Sequence, residues 1–213
     1  MADQVKRRPY RSTVRRERAE ETRRAVLGAA HDLFSSHGFA ATTVTDVARG
    51  AGVSLDTVYT SVGRKPELML AVVDMALGGA EEPVPAEERA YVKAIRAATS
   101  AEDKIAVYAD ALGRLMPRTA PLLTALHEAA RSDQACARTS QHLEERRAAN
   151  MRLFAADLRS TGRLRDDLDD DAVADIVWTT NAVDYYTRLR SRGWSARQYA
   201  VHLRDLWTRV LLG

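Results

Sequence analysis

The chain is short of the residues that end or cross-link structure. Its 213 residues include one cysteine, six prolines, eleven glycines and three phenylalanines. A lone Cys136 excludes an intramolecular disulfide and fits a reducing, cytoplasmic setting; as a thiol it reads as a small packing residue. Sparse Gly and Pro favour long helices over many turns. Nowhere do β-branched residues alternate with polar ones over the length of a strand, so no sheet is expected. No apolar run approaches the ~20 residues of a membrane span. Lys6, Arg7 and Arg8 precede no apolar stretch of the kind a signal peptide carries, so export is not expected.

Catalytic signatures are missing too. The five histidines, His31, His37, His127, His142 and His202, show no paired ligand spacing, and no phosphate-cradling glycine loop or Ser-His-Asp signature occurs. The run Asp166-Asp167-Leu168-Asp169-Asp170 matches in form the DDxxD motif that gathers Mg²⁺ in helical prenyl-transferring enzymes. Here it falls at a loop-to-helix junction, where acids stabilise the helix dipole, and no second acidic motif accompanies it. The reading is therefore no enzyme, no metal and no cofactor, with a Mg²⁺-dependent helical enzyme as the remote alternative.

What the chain does have is an uneven charge. The formal net charge is +3, but residues 1–65 carry +5 and the remainder −2. A basic head on a mildly acidic body suits a protein that brings one end to nucleic acid. Within that head, residues 42–65 read TTVTDVARGAGVSLDTVYTSVGRK. Thr43 and Asp46 form a capping box for a helix starting near Val44. Val44, Val47, Ala48 and Ala51 share one face. Gly52 stands where a left-handed residue ends a helix. Ser54 can cap a next helix that turns Val58 and Val62 inward. Asp56, Thr57, Tyr59, Thr60 and Ser61 remain on its other faces, hydroxyls and a phenol rather than long Lys and Glu chains. Two short helices across a Gly turn are the shape of a helix-turn-helix.

This stretch resembles the tetracycline-repressor-like (TetR) family of bacterial regulators. The matching residues are Gly38-Phe39, Thr42 to Val44, Asp46 to Ala48, Ala51 to Ser54, Thr57 to Tyr59, and the K-x-E-L of Lys65 to Leu68; the preceding RRAVLGAAHDLFSSHGF is similar to the family's first helix. Val62 departs from the family's usual aromatic residue, a change of packing. The resemblance implies an all-helical, dimeric transcription factor. Such factors are commonly repressors released from a palindromic operator by a small ligand. By matching position it implies phosphate contacts at Thr43, Tyr59 and Lys65, with Arg49 and Arg64 as further ones, and base-facing positions at Leu55, Asp56, Thr57 and Thr60 beside the Ser54 cap.

The organisation expected along the chain is a flexible basic arm over residues 1–16, with Arg7, Arg8 and Arg11 as groove or phosphate contacts. A helix-turn-helix domain follows over 17–65, its first helix at about 17–37. A larger helical effector-binding and dimerisation domain spans 66–213. Its fourth helix starts near Pro66, apolar around much of its circumference. Residues 78–85 are the clearest linker. Later helices are expected at about 87–98, 101–116, 120–132, 138–160, 169–190 and 195–212, with Pro117, Gly162 and Gly193 marking ends.

The 169–190 segment carries two apolar stripes about 150° apart at ~100° per residue. One holds Val173, Ile176, Val177 and Thr180; the other holds Trp178, Ala182, Tyr185 and Leu189. Two stripes imply two burials, one inside the chain and one against a second copy. With the family's pairing of its last two helices, the expected dimer surface comprises Trp178, Ala182, Tyr185, Leu189, Leu203, Leu206, Trp207 and Val210. For the effector, polar or aromatic residues inside apolar helices are the candidates: Tyr108, Met116, His127, Arg131, Trp178 and Asn181. Their mixture suits a largely apolar ligand with a few polar anchors. The alternative is an effector-free architectural DNA-binding protein with a solid body.

Overall fold

In the computed structural model, residues 8–79 and 83–213 are described, with side chains from residue 14 onward. Among them are ten α-helices: α1 (Arg8–Ala41), α2 (Val44–Ala51), α3 (Leu55–Ser61), α4 (Lys65–Gly78), α5 (Ala90–Ala97), α6 (Ala101–Ala130), α7 (Gln134–Arg159), α8 (Asp170–Thr180), α9 (Val183–Ser191) and α10 (Ala196–Leu211). A one-turn 3-10 helix lies at Ala86–Glu88. The fold is all-α, as the composition implies. The extended pairing among described residues is an isolated bridge, Leu164 to Leu212, which ties down the last residues of the chain.

Local chemistry sets the first turns as expected. Asp46 N–H donates to the Thr43 hydroxyl at 3.1 Å, and Thr43 N–H donates back to the Asp46 carboxylate at 3.0 Å. Gly52 closes α2 at φ 67°, a conformation that costs Gly nothing. The Ser54 hydroxyl caps α3 by accepting from Thr57 N–H at 3.1 Å. Ser195 and Gln198 form a second capping box at α10.

Three expectations are corrected by the structure. The backbone is helical from Arg8, so residues 8–16 extend α1 rather than forming part of a loose arm. Pro9 sits in the first turn, where its missing N–H has no partner to lose, and Arg16 pairs with Glu20 one turn on. Arg7 and the side chains of Arg8 and Arg11 lie outside the described residues.

The second correction concerns α6, which runs unbroken through Pro117 and Pro121. Each proline removes one helical donor. Leu115, Met116, Thr119, Ala120 and Leu122 are nevertheless all buried around them, and that burial outweighs the lost bonds. The helix is the spine of the molecule. Its first two-thirds pack in a core with α7, α8, α9 and α10; its last turns, from Leu122, join a second core built from α1 to α4. Helix α4 contacts α1 on one side and α6 and α7 on the other, so it links the two.

The third correction concerns 169–190, which is two helices. Ala182 is extended at ψ 149°. Asn181 is buried at the break, its amide donating to the Tyr108 hydroxyl at 3.0 Å while its carbonyl accepts from Arg147. The carbonyls that the break frees find other donors. Trp178 O accepts from Arg147 at 2.5 Å, and Thr180 O accepts from the Tyr199 hydroxyl at 3.4 Å. The break costs little because its polar groups are satisfied. It also separates Trp178 from Ala182, Tyr185 and Leu189, so the second stripe is not one continuous face.

A candidate nucleic-acid interface and a ligand cavity

Helix α3 is seated by Val58, which is fully buried, while Leu55, Asp56, Tyr59 and Thr60 stay exposed. Leu55 and Tyr59 are 39% and 47% exposed, one turn apart, among the few large apolar side chains on the described surface. A short helix spending no burial on those residues presents them outward. Arg23 of α1 donates to the Ser61 carbonyl and so fixes the far end of α3.

Two shallow depressions flank this helix. One is formed by Val44, Tyr59, Gly63, Arg64, Lys65, Pro66 and Glu67. Here Lys65 Nζ lies 4.3 Å from the Phe39 ring centroid and donates to Ala40 O at 3.4 Å. Burial lowers the Lys65 pKa from its ordinary 10.5, with Cys136 and Asp133 acting against it. The other depression includes Arg16, Arg18 and Arg23 of α1 beside Thr57, Thr60 and Ser61. Sequence reasoning missed these α1 arginines. The signal was present in the basic run from Arg15 to Arg24, but it is far from α3 in the chain and only the fold brings them together.

The remaining interface candidates are engaged to different degrees. Arg49 is exposed and pairs with Asp46 at 3.3 Å. The Thr43 hydroxyl donates to Asp46 at 2.6 Å, and the Thr57 hydroxyl lies 2.7 Å from that of Ser54. The Thr60 hydroxyl donates back to Asp56 O and Thr57 O at 3.0 and 3.2 Å, which leaves its methyl as the free group. Arg64 is exposed at the N-cap of α4.

In the body, α4, α5, α6, α7 and the α8–α9 break line a partly open cavity of about 220 Å³. Three of the candidate effector residues, Tyr108, Met116 and Asn181, line it. His127 and Arg131 do not: they lie at the far end of α6, His127 half-buried and Arg131 exposed at its C-cap. Trp178 lies outside as well, under the Arg147 guanidinium at 4.7 Å, with its indole N–H buried and without an acceptor. Tyr108 is enclosed by rings: Tyr91 stacks at 6.2 Å, and Phe154 meets it edge-on at 5.0 Å. Burial raises the Tyr108 phenol far above its ordinary range, with Tyr91 adding to the shift, so it stays a neutral donor. The wall also carries Arg89, Arg146 and Arg147, which by sequence pattern look like surface residues.

Of the expected dimer surface, Leu203 and Trp207 are fully buried within one chain, so they are core residues. Their periodicity is as expected but their partner is not: α10 packs them onto α6 and α8, where Trp207 N–H donates to Thr180 Oγ1 at 2.8 Å. Trp178, Ala182, Tyr185, Leu189, Leu206 and Val210 are half-buried. The acidic run acts as a cap: the Asp169 side chain accepts from Ala172 N–H at 2.7 Å, Asp167 pairs with Arg165 and Asp170 with Arg159. No group of three or more His, Cys, Asp or Glu among the described residues could hold a metal ion, and none of the described helices is long and apolar enough to cross a membrane.

Comparison with known proteins agrees with this geometry. Residues 26–72 match the family described as bacterial regulatory proteins, tetR family. Over 59 residues the chain is 39% identical to the HTH-type transcriptional regulator TtgR of Pseudomonas putida, a stretch covering 28% of each chain. The likeness to that curated relative thus spans little more than a quarter of its length. The whole fold is shared more widely. A putative transcriptional regulator from Saccharomonospora viridis, solved with choline, aligns over 91% of this chain and 99% of its own with TM-score 0.68 at 17% identity. A complex of SmeT with triclosan aligns over 90% and 92% with TM-score 0.69 at 16% identity.

Proposed function

We propose that this chain, a member of the tetR family of bacterial regulatory proteins through its first domain, is a ligand-responsive DNA-binding regulator. It acts as a homodimer on a palindromic operator, most simply as a repressor. The observation that carries the reading is the outward face of α3. Leu55, Asp56, Tyr59 and Thr60 project from a helix held by Val58, between the Lys65 depression and the Arg16–Arg18–Arg23 depression. Hydroxyls and a phenol on the helix suit base edges and phosphates, and the cations on both sides suit the two backbones of one groove. Thr43, Tyr59, Arg49, Arg64 and Lys65 hold phosphates, joined by Arg16 and Arg18, while Leu55, Asp56, Thr57 and Thr60 read bases.

The half-buried apolar strip of Tyr185, Leu189, Leu206 and Val210 meets its copy about a twofold axis. That pairing sets two α3 helices about one turn of DNA apart, ~34–36 Å or somewhat more. A partly open, mostly apolar cavity beside α4 supports the regulator over the effector-free alternative, since a body without an effector has no use for it. Solved neighbours of this fold were captured with triclosan and with choline. Genomic footprinting with the full chain, followed by anisotropy titration of the recovered fragment, tests the reading. A palindromic site bound by two chains is expected. Binding without sequence preference, or by a monomer, overturns it.

A further inference from the structure

The cavity wall has a charge imbalance that points to its ligand. Asp74 of α4 faces two guanidiniums. Arg146 reaches its two oxygens at 3.1 and 2.7 Å, and Arg89 reaches Oδ1 at 3.2 Å. Arg89 is only 3% exposed. The other charges in and beside the wall come in balanced pairs, half-buried Arg147 with half-buried Glu144 at 2.6 Å and buried Lys104 with half-buried Asp157 at 3.0 Å. At the rim, Glu87 and Arg96 are both exposed and offset each other. One positive charge is left over beside an apolar, ring-lined space: Arg89 is buried, Arg146 is half-buried, and the two share one carboxylate, so a second anion beside them is favoured.

The neutral polar groups point the same way. The Tyr108 hydroxyl accepts from Asn181 and donates only to the Met151 sulfur at 3.5 Å, a weak acceptor that an oxygen would replace. The Asn181 carbonyl is already taken by Arg147. The wall therefore offers donors and a surplus cation, while the half-buried carboxylates Asp74, Glu144 and Asp157 are each paired with a cation.

We propose that the effector is an apolar or aromatic monocarboxylate whose anionic head takes Arg146, in competition with Asp74, while its body lies in the apolar space lined by Tyr91, Tyr108 and Phe154. The proposal rests on the regulator reading and specifies the chemistry of the same cavity. Because Asp74 belongs to α4, whose first residue is Lys65 of the DNA face, drawing Arg146 away loosens α7 from the helix that carries that face.

The test is calorimetric titration of the full chain with octanoate and 2-naphthoate, each against its own primary amide and amine. A carboxylate is expected to bind about tenfold or more tightly than its amide. Arg146→Gln should bring that ratio close to one, and Arg146→Lys should keep part of it. Retained amide binding by the variants shows that the cavity is intact. Equal or tighter binding of amide or amine overturns the proposal, as does the lack of binding by both carboxylates or a ratio indifferent to Arg146→Gln. A second arm follows release of the footprinted DNA. A carboxylate that binds without releasing DNA sinks the regulator reading and leaves the ligand class standing. Release by the amine or amide alone does the reverse.

Discussion

Lys65 lies over the ring of Phe39, its ammonium 4.3 Å from the centroid, at the junction where the α1–α4 core meets the proposed DNA face. The ring and the Ala40 carbonyl hold a long, flexible side chain in one place before any phosphate arrives. Lys65→Ala is therefore expected to weaken binding to all DNA sequences alike and to lower the salt slope by about 0.9 for each phosphate left without its cation. Phe39→Leu, which touches no DNA, should weaken binding in the same uniform way but by less. Burial also lowers the Lys65 pKa below 10.5. The protonated form binds phosphate, so affinity should begin to fall at a lower pH than for an ordinary lysine, and Lys65→Arg should remove that alkaline loss. Anisotropy titrations across pH check both; a Lys65→Ala variant altered only in sequence preference would reverse the assigned roles.

Thr60 separates hydroxyl from methyl. Its hydroxyl is spent on the backbone of its own helix, so the methyl is the group left to meet a base. Thr60→Val keeps that methyl and should keep operator preference. Thr60→Ser loses it and should cost about 1 kcal/mol of discrimination at the base pair it covers. Competition with operators substituted one pair at a time measures the difference. Preference lost in Val and kept in Ser would make the hydroxyl the reader.

Helix α6 approaches α10 through Gly113. A Cβ there would stand 2.9 Å from the Ala200 Cβ and 3.2 Å from the Ala196 carbonyl oxygen. Alanine is the better helix former by about 1 kcal/mol. The clash is with a rigid methyl and with backbone, however, and overpacking of that kind costs about 1–3 kcal/mol. The clash should win: Gly113→Ala is expected to lower the melting temperature, and a rise would show that the helices can part freely.

These sites show which features the sequence carried. The Thr43–Asp46 box, the Gly52 turn and the Ser54 cap are local chemistry, written within four residues of where they act. The break at Asn181 is different. Its partners Arg147 and Tyr108 are 34 and 73 positions away, so periodicity runs straight through it. Pro117 fails as an end signal for a related reason: what holds α6 together there is burial by other helices. The cavity is half legible. Tyr108, Met116 and Asn181 stand out as polar or soft residues among apolar ones, but Arg89 and Arg146 look like surface residues until Asp74 gathers them. Leu203 and Trp207 have the expected face and a different neighbour, since one stripe cannot say whose core it enters.

The Thr180–Trp207 bond shows how the broken helix is held. Thr180 accepts from the fully buried Trp207 indole at 2.8 Å and passes its own hydrogen to Ile176 O at 2.7 Å. Thr180→Val keeps shape and χ1 preference but leaves Trp207 with a buried donor and no acceptor. A loss of about 1–3 kcal/mol is expected in urea unfolding. Thr180→Ser should recover most of it, and a neutral Thr180→Val would mean that water replaces the hydroxyl.

Cys136 is 1% exposed in the core shared by α4 and α6, close behind the DNA face. Burial, and after it the Asp133 carboxylate, pushes its thiol from 9.0 up to about 11. The thiolate is the reactive form. At pH 8 that shift leaves about a hundredfold less thiolate than in an unfolded chain, and burial denies reagents access as well. Native protein should therefore alkylate with iodoacetamide at least about a hundredfold more slowly than protein in denaturant, and raising the pH from 8 to 9 should speed it about tenfold. Fast alkylation of the native chain would show that the core around Cys136 opens readily and would give the thiol the sensing role that its burial denies it.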